Sequence, residues 1–366
     1  MKLICDGLDL SDAVLKVVKA VSSKAVNPAL ECIKLKAREN YLLLTATDTE
    51  LTIEKKIKAD IMAEGEILVS GRLFSEFVKK LVDSSIELNL TGGQLKINYM
   101  DSEGVFSVLP ASEFPKLPGV AGQGFNIDTK DLRELITKVS FAASRDDSRP
   151  ILKGILITTE ADKITAVALD GFRLAICNRK LKNIPQNNAR IIVPERILTE
   201  ISKFLTDDKA VVTVGIDKSH IIMNVDNVMI TARLLEGEFI NYSAIVNVKN
   251  DKKITVSKPL LENSLERAAI LFKNTSNNLV KCDVREKTLL ITSNSEAGNI
   301  KETVAVKYEG QDILIAFNSR YLLDVLKSVA DEFININIDT PFNPCTITPI
   351  KGDDYLYLVL PVRIFG

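Results

Sequence analysis

The sequence predicts an α+β protein made of three tandem copies of one domain, each with two helices packed on antiparallel strands. Three observations carry this expectation. A helical segment with an arginine near its start recurs as LVSGRLFSEFVKKL (68–81), IVPERILTEISKFL (192–205) and AFNSRYLLDVLKSV (316–329). The arginines Arg72, Arg196 and Arg320 are separated by 124 residues each time. Between the helical stretches the apolar spacing changes from a helical period to alternation, the mark of half-buried strands.

Each copy opens on an amphipathic helix. Leu10, Val14, Val17, Val18 and Val21 form its apolar stripe in the first copy. Leu132, Leu135, Ile136 and Val139 do so in the second, and Leu261, Leu265, Ala268, Ala269 and Phe272 in the third, all at spacings that share one helical face. Paired strands follow, in ECIKLKAREN with YLLLTATD, in GILITTEADKITAVALD and in LVKCDVREKTLLITSN, each broken by polar turn residues. After the second helix the chain is β-rich again. In IELNLTGGQLKINYM the turn falls at Thr91-Gly92-Gly93-Gln94, because two glycines reach the left-handed backbone of a tight hairpin. The polar stretches 118–124 and 247–253 read as linkers, which puts the domains at 1–122, 123–250 and 251–366.

A chain of 366 residues is too long for one ordinary core, in agreement with three domains. Lys plus Arg number 47 against 48 for Asp plus Glu, so total charge gives no support to nucleic-acid binding. A basic surface has to come from sorting charges by face. The predicted helices carry more basic residues than their stripes require, Lys16 and Lys19 among them, which predicts a basic helical layer and an acidic strand layer. Such a layer suits phosphate contact without base reading. The residues expected to make that contact are Lys24, Arg72, Lys79, Arg133, Lys138, Arg145, Arg149, Arg196 and Lys203.

Catalytic constellations are scarce. The one histidine, His220, follows Ser219 in GIDKSHIIMN, and alternation along a strand is expected to point the two apart. There is no phosphate loop, and Gly119, Gly122 and Gly124 lie in a linker rather than a dinucleotide fold. Asp48 and Asp170 occupy matching places in TATDTEL and ALDGFRL, where paired carboxylates could do acid–base work. A recurring turn role explains them better, since aspartate bonds the backbone just ahead of it. The five cysteines are scattered and odd in number, which favours buried thiols over disulfides or zinc. The start, MKLICDGLDLSD, meets three aspartates before any apolar core of signal-peptide length, and no run approaches a membrane span. A reducing cytoplasm, no metal and no cofactor are the expectations.

The chain resembles the bacterial DNA polymerase III beta subunit, the family of DNA sliding clamps. The resemblance rests on LPASEFPKLPG, SRDDSRPILKGILI, ALDGFRLAI, FNSRYLLDVL and the terminal YLVLPVRIFG, in order along the whole chain. It implies clamp-type domains, three per subunit, and a head-to-tail homodimer closing into a six-domain ring around double-stranded DNA. It implies no reaction, but tethering of the replicative polymerase, the clamp loader and repair proteins through short peptides, with no membrane partner. By matching position, the peptide pocket takes Leu152, Leu169, Gly171, Phe172, Arg173, Leu174, Ile240, Ile245, Tyr321, Phe342, Pro344, Leu358, Leu360 and Val362. The subunit interface takes Ile270 and Leu271 against Phe106. The family often has histidine or tyrosine where Phe172 stands, proline at Ile240 and a basic residue at Ala244, and here the tail runs on through Phe365 and Gly366. These departures imply more apolar grip and fewer polar anchors. Two other readings stand beside this one: an open DNA-binding scaffold of the same fold, and a hydrolase using Asp48 and Asp170.

Overall fold

The computed structural model describes residues 1–22, 25–81, 85–117, 123–247, 251–272 and 278–363. The first copy runs β1 (Lys2–Cys5), α1 (Gly7–Val17), β2 (Cys32–Arg38), β3 (Tyr41–Thr47), β4 (Leu51–Ala63), β5 (Gly65–Ser70), α2 (Gly71–Val78), β6 (Ile86–Thr91), β7 (Gln94–Tyr99) and β8 (Ser102–Pro110). The second runs β9 (Gln123–Asp128), α3 (Thr129–Ser140), β10 (Gly154–Glu160), β11 (Lys163–Leu169), β12 (Arg173–Lys180), β13 (Arg190–Pro194), α4 (Glu195–Ser202), β14 (Val211–Ile216), β15 (His220–Val225) and β16 (Val228–Arg233). A single-turn helix, α5 (Ser243–Val246), precedes the third. That copy runs β17 (Lys252–Ser257), α6 (Lys258–Ala269), β18 (Leu279–Arg285), β19 (Thr288–Ser295), β20 (Gly298–Glu309), β21 (Ile313–Asn318), α7 (Ser319–Ser328), β22 (Phe333–Ile338), β23 (Cys345–Pro349) and β24 (Tyr355–Val359). The order of strands and helices is the same in all three.

Local chemistry sets these elements. Asp6 caps α1, accepting from the N–H groups of Leu8 at 2.8 Å and Asp9 at 3.0 Å, an arrangement that contributes about 1 kcal/mol. Leu10, Ala13, Val14 and Val17 form its buried stripe. The α-helix stops at Val17 and a 3₁₀ turn covers Val18–Ala20, so Val18 and Val21 leave the predicted stripe. Gly92 and Gly93 hold φ of 61° and 77° in the turn between β6 and β7, as expected for a tight hairpin. The predicted linkers end sooner than expected, because Gln123 opens β9 and Lys252 opens β17. Gly124 is a ladder residue opposite Gly215, and a Cβ there would meet the Val214 carbonyl oxygen at 1.6 Å. Residues 118–122 and 248–250 lie outside the described residues.

The strands form two antiparallel sheets of 12 strands each, and the chain divides into two compact units. In the first unit the order is β1-β6-β7-β8-β5-β2-β3-β4-β16-β15-β14-β9, with β1 also paired to β4. In the second it is β13-β10-β11-β12-β24-β23-β22-β17-β20-β19-β18-β21. The second copy is thus shared out: β16 pairs β4 from Val228↔Lys55 to Ala232↔Leu51, while β12 pairs β24 from Arg173↔Val359 to Cys177↔Tyr355.

All five cysteines are free and buried. Burial pushes the thiols up, to about 12 for Cys5, Cys282 and Cys345 and about 11 for Cys177, so they are poor nucleophiles. The expected division into basic helices and acidic strands is not what forms. Strand β4 holds Lys55, Lys56 and Lys58 beside Glu54 and Asp60. Helical cations are matched by carboxylates one turn away, as in Lys16–Asp12 at 2.9 Å, Arg72–Glu76 at 3.5 Å and Lys258–Glu262 at 2.6 Å. Some strand cations are paired likewise, as in Lys34–Glu66 at 3.0 Å.

Candidate peptide groove and nucleic-acid face

The β11–β12 hairpin builds the floor of the candidate groove. Its register sets Leu169 opposite Leu174, and the β12–β24 register sets Leu174 opposite Leu358. Residues directly opposite on neighbouring strands share a face, so the three leucines form one row. With Leu152, Leu156, Val167, Ile176, Ile192 and Phe239 they make a buried cluster, on which Leu360, Tyr242 and Val246 pack half-buried. The chain past β24 stays attached: the Leu360 N–H donates to the Phe172 carbonyl at 2.9 Å, and that of Val362 to Ala316 at 2.8 Å.

The turn between these strands is set by Asp170, whose Oδ1 accepts from the N–H groups of Phe172 at 2.9 Å and Arg173 at 3.0 Å. Gly171 takes φ of 94°, where a side chain would be strained. Phe172 is pushed outward, 58% exposed, and stacks on Tyr321 with ring centroids 6.0 Å apart. The Arg173 guanidinium lies 4.7 Å from the Tyr321 ring centroid and 5.2 Å from that of Phe141. It donates to Asp170 Oδ2 at 3.0 Å, Asp324 Oδ2 at 2.5 Å and the Phe141 carbonyl at 2.6 Å. Burial, then the Asp170 charge, push the Tyr321 hydroxyl above its ordinary range. Arg173 is therefore a pin that orients the wall, with three of its five N–H donors committed.

The structure brings Leu152, Leu169, Leu174, Leu358 and Leu360 into one cluster, and Gly171, Phe172, Arg173 and Tyr321 into the wall beside it. Ile245, expected in the floor, is 37% exposed, and Tyr242 and Val246 on either side of it pack inward instead. Ile240, Phe342 and Val362 are exposed, at 40%, 67% and 40%, and Pro344 is half-buried. Sequence reasoning missed Tyr242 and Val246, because a helix of one turn carries no periodic signal.

Among the expected phosphate contacts, Arg72 is paired with Glu76 and Lys203 with Glu200, the latter at 2.5 Å. Lys138 is drawn inward: its side chain is 13% exposed, 3.8 Å from Glu134 and 5.2 Å from the Tyr355 ring centroid. That position does not suit phosphate contact, and the expectation for Lys138 is withdrawn. Arg196 is exposed and Arg133 half-buried. Lys79, Arg145 and Arg149 are exposed without a carboxylate partner among the described residues. The Arg149 guanidinium, however, sits 3.7 Å from where a Cβ on Gly171 would stand, which aligns it with the groove. Lys24 lies outside the described residues.

Phe106 lies on β8, whose Ser102–Ser107 stretch pairs, among the described residues, only β7, and its ring meets Phe77 at 5.0 Å and Phe74 at 5.9 Å. In the second unit β20 pairs, among the described residues, only β19 over 298–305. Ile270 there is 54% exposed and Leu271 half-buried.

Asp48 sits in a turn like that of Asp170, its Oδ1 accepting from Glu50 at 3.0 Å and Leu51 at 2.7 Å. Ser219 and His220 do touch, Oγ to Nδ1 at 2.9 Å, contrary to the alternation argument, because Ser219 lies in the turn before β15 begins. The nearest carboxylate, Asp217, approaches that same Nδ1 at 3.8 Å. A relay needs the nucleophilic hydroxyl and the orienting acid on opposite ring nitrogens, so this group is a turn contact. No group of three metal-ligating side chains occurs among the described residues.

Comparison with known proteins gives a consistent result. The family profiles for the DNA polymerase III beta subunit match as N-terminal domain over residues 1–118, central domain over 126–241 and C-terminal domain over 245–363. The beta sliding clamp of Bacillus subtilis (strain 168) is 30% identical over 371 residues, spanning 97% of this chain and 98% of that protein. The crystal structure of the DNA polymerase sliding clamp from Bacillus subtilis superposes with a TM-score of 0.97 at 29% identity, covering 100% of both chains. That of the DNA polymerase III beta subunit from Thermotoga maritima gives 0.92 at 29% identity, again over 100% of both.

Proposed function

This chain belongs to the DNA polymerase III beta subunit family, the DNA sliding clamps, and we propose that it works as a ring-forming dimer that encircles duplex DNA and tethers its partners there. The observation that best supports a ring is the pair of half-used strand edges, Ser102–Ser107 of β8 in one unit and 298–305 of β20 in the other. Unpaired edges seek strands. Head-to-tail pairing of two copies satisfies both kinds of edge, with Phe106 on one side and Ile270 and Leu271 on the other, and closes only if the rotation closes. The copies at 1–122, 123–250 and 251–366 are the proposed domains of each subunit.

In this role the protein is not an enzyme. It replaces rebinding of a polymerase with an intramolecular event at high effective concentration. The groove of Leu152, Leu169, Leu174, Leu358 and Leu360, walled by Phe172 and Tyr321, is the proposed seat for short partner peptides from the replicative polymerase, the clamp loader and repair proteins. Arg72, Lys79, Arg133, Arg145, Arg196 and Lys203 are the proposed contacts to DNA, without base reading. The proposed location is the cytoplasm. The test is topological: after loading, the protein should stay on nicked circular DNA and run off once it is linearised. Equal retention on both forms would favour an open scaffold.

A further inference from the structure

Apolar side chains exposed one at a time need no explanation, but two of those in the third copy are neighbours. Strand β22 opens at Phe333, and its next residue, Ile334, pairs with Pro349 at the end of β23, so Ile350 comes to stand beside Phe333. Ile334, Ile336, Cys345 and Ile347 are buried. Alternation therefore turns Phe333 and Ile350 to the other side of the sheet, where they are 46% and 44% exposed. The same corner is filled differently in the other copies. Phe333 pairs Ser257, the residue before α6, and the residue before α3, Asp128, pairs Val211. Carrying the registers one residue further sets Val211 beside Asp226 in the second copy and Ser85 beside Met100 in the first. A corner that the fold closes elsewhere with serine or aspartate does not need phenylalanine and isoleucine in order to fold, which points to a contact.

The chain on either side of the pair supplies a rim of one sign. Asp331, Glu332, Asp353 and Asp354 flank it in sequence, with Lys351 the one cation among those flanking residues. Lys163 reaches Asp353 at 2.9 Å, so four carboxylates face two ammonium groups and two negative charges are in excess. Further cations are matched already: Lys258 by Glu262 at 2.6 Å, and Arg179 by Glu134 and, at 3.6 Å, by Asp131. A surface of this sign repels nucleic-acid phosphates and anionic headgroups. It suits apolar side chains that arrive with lysine or arginine beside them.

We propose that the Phe333–Ile350 corner is a second docking surface, for a segment of a partner protein in which apolar side chains alternate with lysine or arginine. It is separate from the groove. Tyr321 of the groove wall lies in the first turn of α7 and the corner follows its last, so most of that helix stands between the two seats.

The test uses the full-length protein and two fluorescein-labelled peptides read by anisotropy, one alternating leucine with lysine and one alternating leucine with glutamate. The wild type should bind the lysine peptide about tenfold more tightly than the glutamate peptide, or better. Phe333→Ser with Ile350→Ser should weaken that binding by about tenfold or more, the scale of losing the central apolar contacts, and Glu332→Lys should weaken it less. Both apolar side chains are exposed, so melting temperatures should hold in every variant. Leu174→Ala with Leu360→Ala in the groove should bind the lysine peptide as the wild type does. Wild-type affinity in the double serine variant overturns the site and leaves the groove reading intact, and so does a wild type that does not prefer the lysine peptide. Loss of binding in the groove variant would seat the peptide in the groove and overturn the corner as its site. A mass above the dimer by light scattering that the double serine variant loses would make the corner a contact between copies of this chain, and overturn its assignment to a partner.

Discussion

The β3–β4 hairpin of the first copy and the β11–β12 hairpin of the second are the same structure with different contents. Asp48 and Asp170 cap their turns through the same pair of backbone N–H groups, and each donates its own N–H to the carbonyl three residues on, at 3.1 and 3.2 Å. The residue after each aspartate has positive φ, 78° at Thr49 and 94° at Gly171. The registers correspond: Thr47↔Thr52 and Thr45↔Glu54 in one, Leu169↔Leu174 and Val167↔Ile176 in the other. The first set is polar and internally satisfied, with the threonine hydroxyls of 47 and 52 bonded at 2.8 Å and Thr45 donating to Glu54 at 3.2 Å. The second is wholly apolar and belongs to the buried cluster under the proposed groove. The turn belongs to the fold, and the proposed groove takes Leu169 and Leu174 from the second hairpin alone.

The largest effect that can break this comparison is on peptide binding. Leu174→Ala with Leu360→Ala should weaken a polymerase-derived peptide by about 100-fold or more in anisotropy titration, since losing a binding hot spot costs about 2 kcal/mol or more. The dimer mass by light scattering should stay the same, and Thr47→Ala in the first hairpin should leave the peptide affinity as it was. Equal losses from both hairpins would mean that the groove is not confined to the second copy.

A smaller and opposite pair of effects is expected at the turns. Gly171→Ala should lower stability by about 1 kcal/mol or more, because alanine is strained at that φ. Thr49→Gly should raise it by about 1 kcal/mol, since a β-branched residue already bears that strain. Urea unfolding midpoints of the two variants measure both, and shifts of the same sign would show that the turns are not equivalent.

The smallest effect concerns Glu54, which has no counterpart among the apolar residues of the second hairpin. Burial raises its pKa above the ordinary glutamate value, against the lowering effect of the Thr45 hydrogen bond. A raised pKa means that the native state binds the proton more tightly than the unfolded chain. Glu54 therefore adds stability as pH falls through its native pKa, in full below the unfolded value of about 4.3. Urea titrations from pH 7 to pH 4 should show this gain in the wild type and not in Glu54→Gln.

Much of this was legible in the residues. The helical stripe at Leu132, Leu135, Ile136 and Val139 is buried as its period predicts, and the glycine pair at 92–93 makes the turn that its backbone freedom predicts. What was not legible depends on register across distant segments. That Lys34 finds Glu66 at 3.0 Å and that β16 joins β4 are both pairings between strands far apart in sequence or set by their alignment. A local pattern cannot carry such information. The expected layering of charge failed for this reason: composition along an element says nothing about its partners.

The sharing of the second copy between the two sheets bears on how the chain can come apart. Strands β9 and β14–β16 are laddered onto the first copy, and β10–β13 onto the third. Sequence symmetry marks residues 123–250 as a module, but hydrogen bonding does not isolate them as one. Unfolding of that stretch alone would have to tear two ladders at once, so the cooperative blocks of this molecule follow its sheets rather than its repeats. Duplication set the spelling of the chain; the seams along which it opens lie elsewhere.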